Sequence, residues 1–156
     1  MGQDREPQNS YVQFKICQTH WRVGNFAESL RLADEALRLW PDDIRFLSVK
    51  ASNLTVLSRP DEAVEFARRA YELQRAAPEL MGLIVALAKA GQTEEAKKNF
   101  RDLQELSQSA FVDGVWLAIA EAALGDRQAA LQRLDTAASG SGGFGILQFR
   151  DARMLA

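Results

Sequence analysis

The chain has 156 residues, of which 47% are hydrophobic and 26% are charged, as in an ordinary soluble globular domain. Its 19 basic and 21 acidic residues give a net charge of −2, so no general basic field draws it to nucleic acid or anionic lipid. A single cysteine excludes an internal disulfide. The longest apolar run, Leu83 to Ala88, is far too short to cross a bilayer, and residues 1–9 lack a signal peptide's apolar stretch. These features predict a cytoplasmic protein without membrane insertion.

The body of the chain has a helical pattern. After a polar N-terminal tail at residues 1–9, apolar side chains recur at steps of three and four residues, which is the period of an α-helix. The pattern predicts eight helices joined by short turns, at residues 10–23, 26–39, 44–57, 60–74, 78–90, 94–107, 111–124 and 127–138. A Gly/Ser-rich linker at 139–145 and a terminal segment at 146–156 follow.

The turn within each predicted helix pair carries its own stop signal. Gly24, Gly91 and Gly125 each end a helix, because glycine adopts the left-handed C-terminal conformation at low cost. In the second pair Ser58 stands in place of glycine, and we expect it to cap the next helix, with Pro60 in the first turn. The N-caps expected after the three glycines are Asn25, Thr93 and Asp126.

These turns recur at a fixed interval, with starts separated by 34, 33 and 34 residues. Such a period indicates copies of one supersecondary unit, each of which buries its apolar face by stacking on its neighbours. The four related segments are Gly24-Asn-Phe-Ala-Glu-Ser, Ser58-Arg-Pro-Asp-Glu-Ala, Gly91-Gln-Thr-Glu-Glu-Ala and Gly125-Asp-Arg-Gln-Ala-Ala.

The period and the turn motif resemble those of the tetratricopeptide repeat (TPR) family over residues 10–138. The clearest unit, at about residues 10–43, continues after its turn with Ala36-Leu-Arg-Leu and Pro41-Asp-Asp. The resemblance implies an all-α fold: a right-handed α-solenoid of about four TPR-like helix-turn-helix repeats, with residues 146–156 as a C-terminal capping segment. The chain departs from the family at His20, where a large apolar residue is usual, and at Ser58, and its third unit lacks the closing proline.

In this family the first helix of each pair lines a concave groove that binds an extended peptide or a helix of a partner protein. The resemblance therefore implies a non-catalytic protein-protein interaction scaffold. Trp21, with Tyr11 and Phe14, either anchors the partner or lies buried in its own repeat. The side chains implied to line the groove are Tyr11, Phe14, Gln18, Trp21, Arg22, Arg45, Ser48, Ser52, Thr55, Met81, Val85, Lys89, Val112, Val115 and Ile119.

Two other roles within the family stay open: a small bacterial secretion chaperone, and an interaction module cut from a larger regulatory protein. The partner's identity and self-association of the chain are open as well. A third role is not expected. One subclass clamps a C-terminal carboxylate with Lys and Asn side chains, and this clamp is absent here. The residues at the corresponding positions are Phe14, Gln18, Val49, Pro78 and Gly82.

The sequence predicts no enzyme, no cofactor and no metal site. Residues 140–145 match the spacing of a dinucleotide-binding glycine loop, but a helix rather than a strand precedes them, which favours a linker. Cys17 and His20 could meet on one helix face, yet that face is the one turned toward the partner helix, which favours core packing. The carboxylate pairs at 42–43, 61–62 and 94–95 stand at helix starts, where the helix dipole favours negative charge.

Overall fold

A computed structural model describes residues 7–109 and 112–139 of the chain. In these ranges the structure is all-α, as predicted, and contains eight helices and no strand. None of these helices is long and apolar enough to span a membrane. The predicted linker beyond Ser139 and the segment 146–156 lie outside the described residues. The helices are α1 (Pro7–Arg22), α2 (Phe26–Leu39), α3 (Ile44–Val56), α4 (Pro60–Leu73), α5 (Ala77–Lys89), α6 (Thr93–Ser109), α7 (Gly114–Ala123) and α8 (Arg127–Ser139).

The helices divide into two units, with the division between Arg75 and Ala76. In unit 1, α1 packs on α2 and α3 packs on α4, while α3 also contacts α2 and α1. In unit 2, α5 packs on α6 and α7 packs on α8, while α7 also contacts α5. Each unit is therefore built from two consecutive helix pairs.

The turns inside the four helix pairs share one hydrogen-bond pattern, the Schellman motif. In each, the residue with positive φ donates its N–H to the carbonyl oxygen three residues back, and the next N–H donates to the carbonyl oxygen five residues back. The positive-φ residues are Gly24 (82°), Ser58 (60°), Gly91 (75°) and Gly125 (92°). The second bonds run from Asn25 to His20 (2.9 Å), Arg59 to Leu54 (2.8 Å), Gln92 to Leu87 (2.9 Å) and Asp126 to Glu121 (3.0 Å).

The structure contradicts the expectation that Ser58 caps α4. It occupies the left-handed position after the C-cap of α3, Leu57, and the N-cap of α4 is Arg59. The N-cap residues of α2 and α4 have negative φ, whereas Ser58 has a φ of 60°. Ser58 therefore occupies the position of the turn glycine, at the energetic cost of a left-handed backbone in a residue with a Cβ atom.

Replacing Ser58 by glycine should stabilise unit 1 by about 0.5–1 kcal/mol. A left-handed residue with a Cβ atom costs roughly 1–2 kcal/mol, and the extra freedom of glycine in the unfolded chain offsets part of the gain. Urea denaturation followed by far-UV circular dichroism measures the change. The matched control is Gly91→Ser, which introduces the same cost at the equivalent turn and should destabilise the chain. A lower stability of Ser58→Gly would contradict this account.

The remaining expected caps differ in how they act. Asp126 caps α8 as predicted, because its Oδ1 accepts the Ala129 N–H at 3.0 Å. Asn25 is the N-cap of α2, but its side chain makes no capping bond and its Nδ2 lies 3.3 Å from His20 Nδ1. Thr93 is the first residue of α6 rather than a cap preceding it.

The core of unit 1 is centred on Phe46 of α3, whose side chain is completely buried. The Trp40 ring stacks on it at a centroid distance of 6.1 Å, and the Phe14 ring meets it edge-on at 6.2 Å. Cys17 and Ala36 complete this cluster. Because these residues come from α1, α2, α3 and the connection between α2 and α3, the cluster joins the two helix pairs.

A buried polar chain runs beside that cluster. Ser29 Oγ donates to the Cys17 carbonyl oxygen at 3.0 Å, which ties α2 to α1. Asn53 Nδ2 in turn donates to Ser29 Oγ and to the Val49 carbonyl oxygen, both at 2.9 Å, which ties α3 to α2. Since buried polar groups are costly when unpaired, these bonds favour the arrangement of the three helices that makes them. The Asn53 Oδ1 atom is also buried and has no hydrogen-bond partner among the described residues.

Unit 2 has an apolar core and an ion pair whose carboxylate is buried. Leu83 and Leu87 of α5 and Leu103 of α6 are almost wholly buried. Glu121 of α7 is also buried, and its carboxylate accepts three hydrogen bonds from the Arg133 guanidinium of α8, at 2.6 to 3.0 Å. This pair links the two helices of the last repeat.

Candidate partner-binding face

Helix α1 has three stripes of side chains, each of which repeats at steps of three and four residues. The inner stripe faces the rest of unit 1 and is buried or half-buried; it consists of Ser10, Phe14, Cys17 and Trp21. The lateral stripe is mostly exposed and consists of Tyr11, Lys15, Gln18 and Arg22. The outer stripe, opposite the inner one, consists of Val12, Ile16, Thr19 and Val23.

The structure separates the three aromatic residues expected to anchor a partner. Tyr11 is 52% exposed on the lateral stripe. Phe14 is half-buried against Phe46, and Trp21 is half-buried edge-on against Phe26, at a centroid distance of 6.3 Å. Only Tyr11 of the three therefore stands free enough to serve as an aromatic anchor without rearrangement.

Arg45 of α3 is held rigidly next to α1. Its Nε and Nη2 donate to the two carboxylate oxygens of Asp43 at 2.9 and 2.5 Å, and Nη2 also donates to Ser10 Oγ at 2.8 Å. The guanidinium lies over the Phe14 ring, 5.6 Å from its centroid. The hydrogen bonds that Arg45 donates to Asp43 raise the pKa of Arg45 above its ordinary value. The side chain is thus a fixed cation that remains 37% exposed.

Lys15, on the lateral stripe, is a residue that the sequence analysis missed. Its Nζ lies 5.3 Å from the Tyr11 ring centroid and 5.6 Å from that of Phe14, and it donates to Gln18 Oε1 at 3.4 Å. The signal was present in the sequence, because residues four apart are neighbours on a helix and Lys15 follows Tyr11 by four. Lys15 thus lies near both aromatic rings, and Arg45 lies over the Phe14 ring alone of the two.

The α3 residues expected in the groove form a small, neutral surface. Ser48, Ser52 and Thr55 are all half-buried. Ser52 Oγ donates to the Ser48 carbonyl oxygen and Thr55 Oγ1 to the Ala51 carbonyl oxygen, both at 2.9 Å. The hydroxyl groups of Ser52 and Thr55 are therefore satisfied within α3. We call the lateral stripe of α1 together with Arg45, Ser48 and Ser52 the α1/α3 face.

Charge in unit 1 is divided between first and second helices. Helices α1 and α3 contain four cationic and no acidic side chains, whereas α2 contains three acidic and two basic, and α4 four acidic and two basic. Arg45 is paired with Asp43, and Lys50 lies 2.6 Å from Asp34 Oδ1. Lys15 and Arg22 make no ion pair within the described part of the chain. The α1/α3 face is consequently basic.

In unit 2 the structure corrects two of the expected groove residues. Val115 and Ile119 were expected to be exposed, but they are only 2% and 6% exposed. Helix α7 is short and almost wholly apolar, and both α5 and α8 contact it, so it is buried on most sides. The other expected residues of this unit are more accessible: Met81, Val85 and Val112 are half-buried and Lys89 is exposed.

The residues considered as catalytic candidates lie in the core or at helix ends, where packing and capping account for them. Cys17 is 1% exposed, and the His20 ring contacts Asn25. Asp43 caps α3 by accepting the Arg45 N–H at 3.1 Å. The described residues contain no cluster of three or more His, Cys, Asp or Glu side chains that could hold a metal ion. The glycine loop at 140–145 lies outside them. Asp42 pairs with Arg69 at 2.6 Å. The other four carboxylates of the three pairs stand in first helical turns: Asp61 and Glu62 in α4, and Glu94 and Glu95 in α6.

Burial raises the pKa of the Cys17 thiol, so we expect the thiol to be protonated and unreactive in the native protein. Ellman's reagent should label it only as fast as unit 1 opens, and at once in urea. Because the folded-state pKa lies above the unfolded one, the stability from this group is complete at neutral pH and falls as pH rises above about 8.5. Cys17→Ala should remove that part of the alkaline loss. Fast labelling of the native protein would contradict the prediction.

Comparison with known proteins gives a structural likeness only. No protein-family model matches the chain, and no curated protein matches it in sequence. Among solved structures it is similar to MamA of AMB-1, with a TM-score of 0.59 and 20% identity over 82% of this chain and 76% of that chain. It is also similar to MamA of MSR-1, with a TM-score of 0.57 and 19% identity over 88% of this chain and 78% of that one. The likeness supports an all-α, TPR-like helical-repeat fold.

Proposed function

We propose that the protein is a non-catalytic interaction module whose α1/α3 face binds an acidic peptide or helix of a partner protein. The observation that carries the proposal is the cationic and aromatic surface around Lys15, Tyr11 and Arg45 on helices without a single acidic side chain. The helical-repeat fold supports it, since repeat folds use extended surfaces of this kind for binding.

The arrangement suits an acidic ligand for two reasons. Arg45 is already fixed by Asp43 and Ser10, so little side-chain entropy is lost when a ligand contacts it. Lys15 and Arg22 have no ion pair within the described residues, so a carboxylate of the partner can approach them without displacing one. Ser48 and Ser52 leave room for the partner's side chains because their own are small.

Affinity capture with the purified chain, followed by mass spectrometry, tests the proposal. Ser48→Glu places a negative charge on the α1/α3 face. It should lower the amount of specifically captured protein by about tenfold or more. The matched control is Leu73→Glu, which adds the same charge at a side chain that is 47% exposed at the end of α4. It should capture the same proteins as the wild type. Equal capture by Ser48→Glu and the wild type would rule out the α1/α3 face.

A further inference from the structure

The outer stripe of α1 is an apolar helix face without a partner among the described residues. Val12 is 56% exposed, Ile16 47% and Val23 70%. Thr19 Oγ1 donates to the Lys15 carbonyl oxygen at 2.8 Å, so the polar group of the stripe is already satisfied by the helix.

The four positions have the spacing of a helix-packing seam. They follow one another by four, three and four residues, which is the a/d pattern along which two helices interlock. The Val23 N–H donates to the Thr19 carbonyl oxygen at 3.1 Å, so the helical register continues through the last position. The seam is about 16 Å long, or three helical turns.

The charged residues beside the seam indicate which kind of helix can cover it. Lys15 and Arg22 border one side, in the positions that flank an interhelical seam, and Gln13 and His20 border the other. Neither cation makes an ion pair within the described residues, and α1 has no acidic residue. A helix that covers the seam therefore meets only cationic and neutral side chains of α1.

We propose that the outer stripe of α1 is a second docking surface, which shares Lys15 and Arg22 with the α1/α3 face and binds an acidic amphipathic helix of a partner protein. Apolar side chains of that helix at alternating three- and four-residue steps pack on Val12, Ile16 and Val23. Its flanking Glu or Asp carboxylates pair with Lys15 and Arg22.

Two other occupants fit less well. A second copy of α1 would bring cations against cations, because the helix has no carboxylate to offer in either orientation. An anionic membrane would be met by only two cations and by small β-branched side chains. Membrane-surface helices instead combine a Lys/Arg-rich face with large apolar residues.

A display library of helical peptides tests the proposal on the full chain. Each peptide is about three heptads long, with Leu or Ile fixed at the a and d positions and Glu, Gln or Lys varied at the flanking positions. Selection on the wild type should enrich Glu at the flanks. Selection on a variant with both Lys15→Glu and Arg22→Glu should enrich Lys instead.

A selected Glu-rich peptide, labelled and measured by fluorescence anisotropy, should bind Ile16→Glu at least about tenfold more weakly than the wild type. Val12→Glu is the second variant on the stripe, and both should keep the wild-type unfolding midpoint because the two side chains are half exposed. The matched control is Leu131→Glu, at a side chain of α8 that is 63% exposed, and it should bind normally. Ser48→Glu, which tests the α1/α3 face, should bind within about twofold of the wild type.

Four results would overturn the proposal. The first is an absence of peptides whose binding depends on Ile16, and the second is enrichment of Lys or Gln on the wild type. The third is a dimer of the wild type that Ile16→Glu abolishes in sedimentation velocity, which would identify a second copy as the occupant. The fourth is binding to phosphatidylserine-containing vesicles that the same variant abolishes, which would identify a membrane.

Discussion

Replacing Phe46 by alanine should lower the free energy of unfolding of unit 1 by about 3–5 kcal/mol. The side chain is completely buried, and it contacts the Trp40 ring on one face and the Phe14 ring at an edge. Its removal leaves a cavity where α1, α2 and α3 meet, and two large aromatic side chains cannot both shift to fill it. A typical domain has only about 5–15 kcal/mol in total, so the variant will be close to unfolding.

Urea denaturation measures this effect, with far-UV circular dichroism for helix content and tryptophan fluorescence for the surroundings of the three tryptophans, two of which lie in unit 1. Phe46→Leu should lower the free energy of unfolding by less than half as much as Phe46→Ala, because leucine keeps most of the buried volume. Leu73→Ala, at an exposed position, should stay within about 0.5 kcal/mol of the wild type. A loss below about 1 kcal/mol for Phe46→Ala would show that this cluster is not the centre of the core.

Replacing Arg133 by methionine should destabilise unit 2 by about 2–3 kcal/mol. The change leaves the carboxylate of Glu121, which is 5% exposed, without the three hydrogen bonds it now accepts. Breaking a fully buried ion pair costs about 3–5 kcal/mol, and we expect less here because the Arg133 side chain is 36% exposed.

A second variant separates the cost of the unpaired carboxylate from the loss of the arginine itself. Glu121→Leu combined with Arg133→Met removes both charges and should recover most of the lost stability, as apolar replacements of buried ion pairs commonly do. Glu28→Gln, in the exposed pair with Arg31, should change stability by less than about 0.5 kcal/mol. Equal stabilities of the single and double variants would show that the orphaned carboxylate is not the source of the loss.

The helices were predictable because their ends are encoded locally. Gly24, Gly91 and Gly125 have the positive φ that the turn requires, and each stands at the end of an apolar period of 3.6 residues. The role of Ser58 was harder to predict. A serine before a proline-started helix is normally a cap, and only its equivalence to the three glycines points to the left-handed position.

The candidate site was less predictable, because a sequence pattern does not reveal how many neighbours a helix has. Val115 and Ile119 occupy groove positions by resemblance, yet α7 is so short and apolar that both are buried. The polar chain from Cys17 through Ser29 to Asn53 depends on which helix faces meet, and no single helix carries its signal. Lys15, by contrast, could have been found from its spacing to Tyr11 alone.

The division of charge in unit 1 has a consequence for the approach of a partner before any contact forms. With a net charge of −2 for the whole chain, the four cations of α1 and α3 leave a net charge of −6 on the remainder. Arg45 and Lys50 are paired with Asp43 and Asp34, so the cations of α1, Lys15 and Arg22, are the ones that attract a negatively charged molecule, while the remainder of the chain carries net negative charge. Such a field orients the encounter and raises its rate, over a range of about 8 Å at physiological ionic strength. Selectivity toward acidic partners would then begin during diffusion, with side-chain contacts acting only on molecules that arrive already oriented.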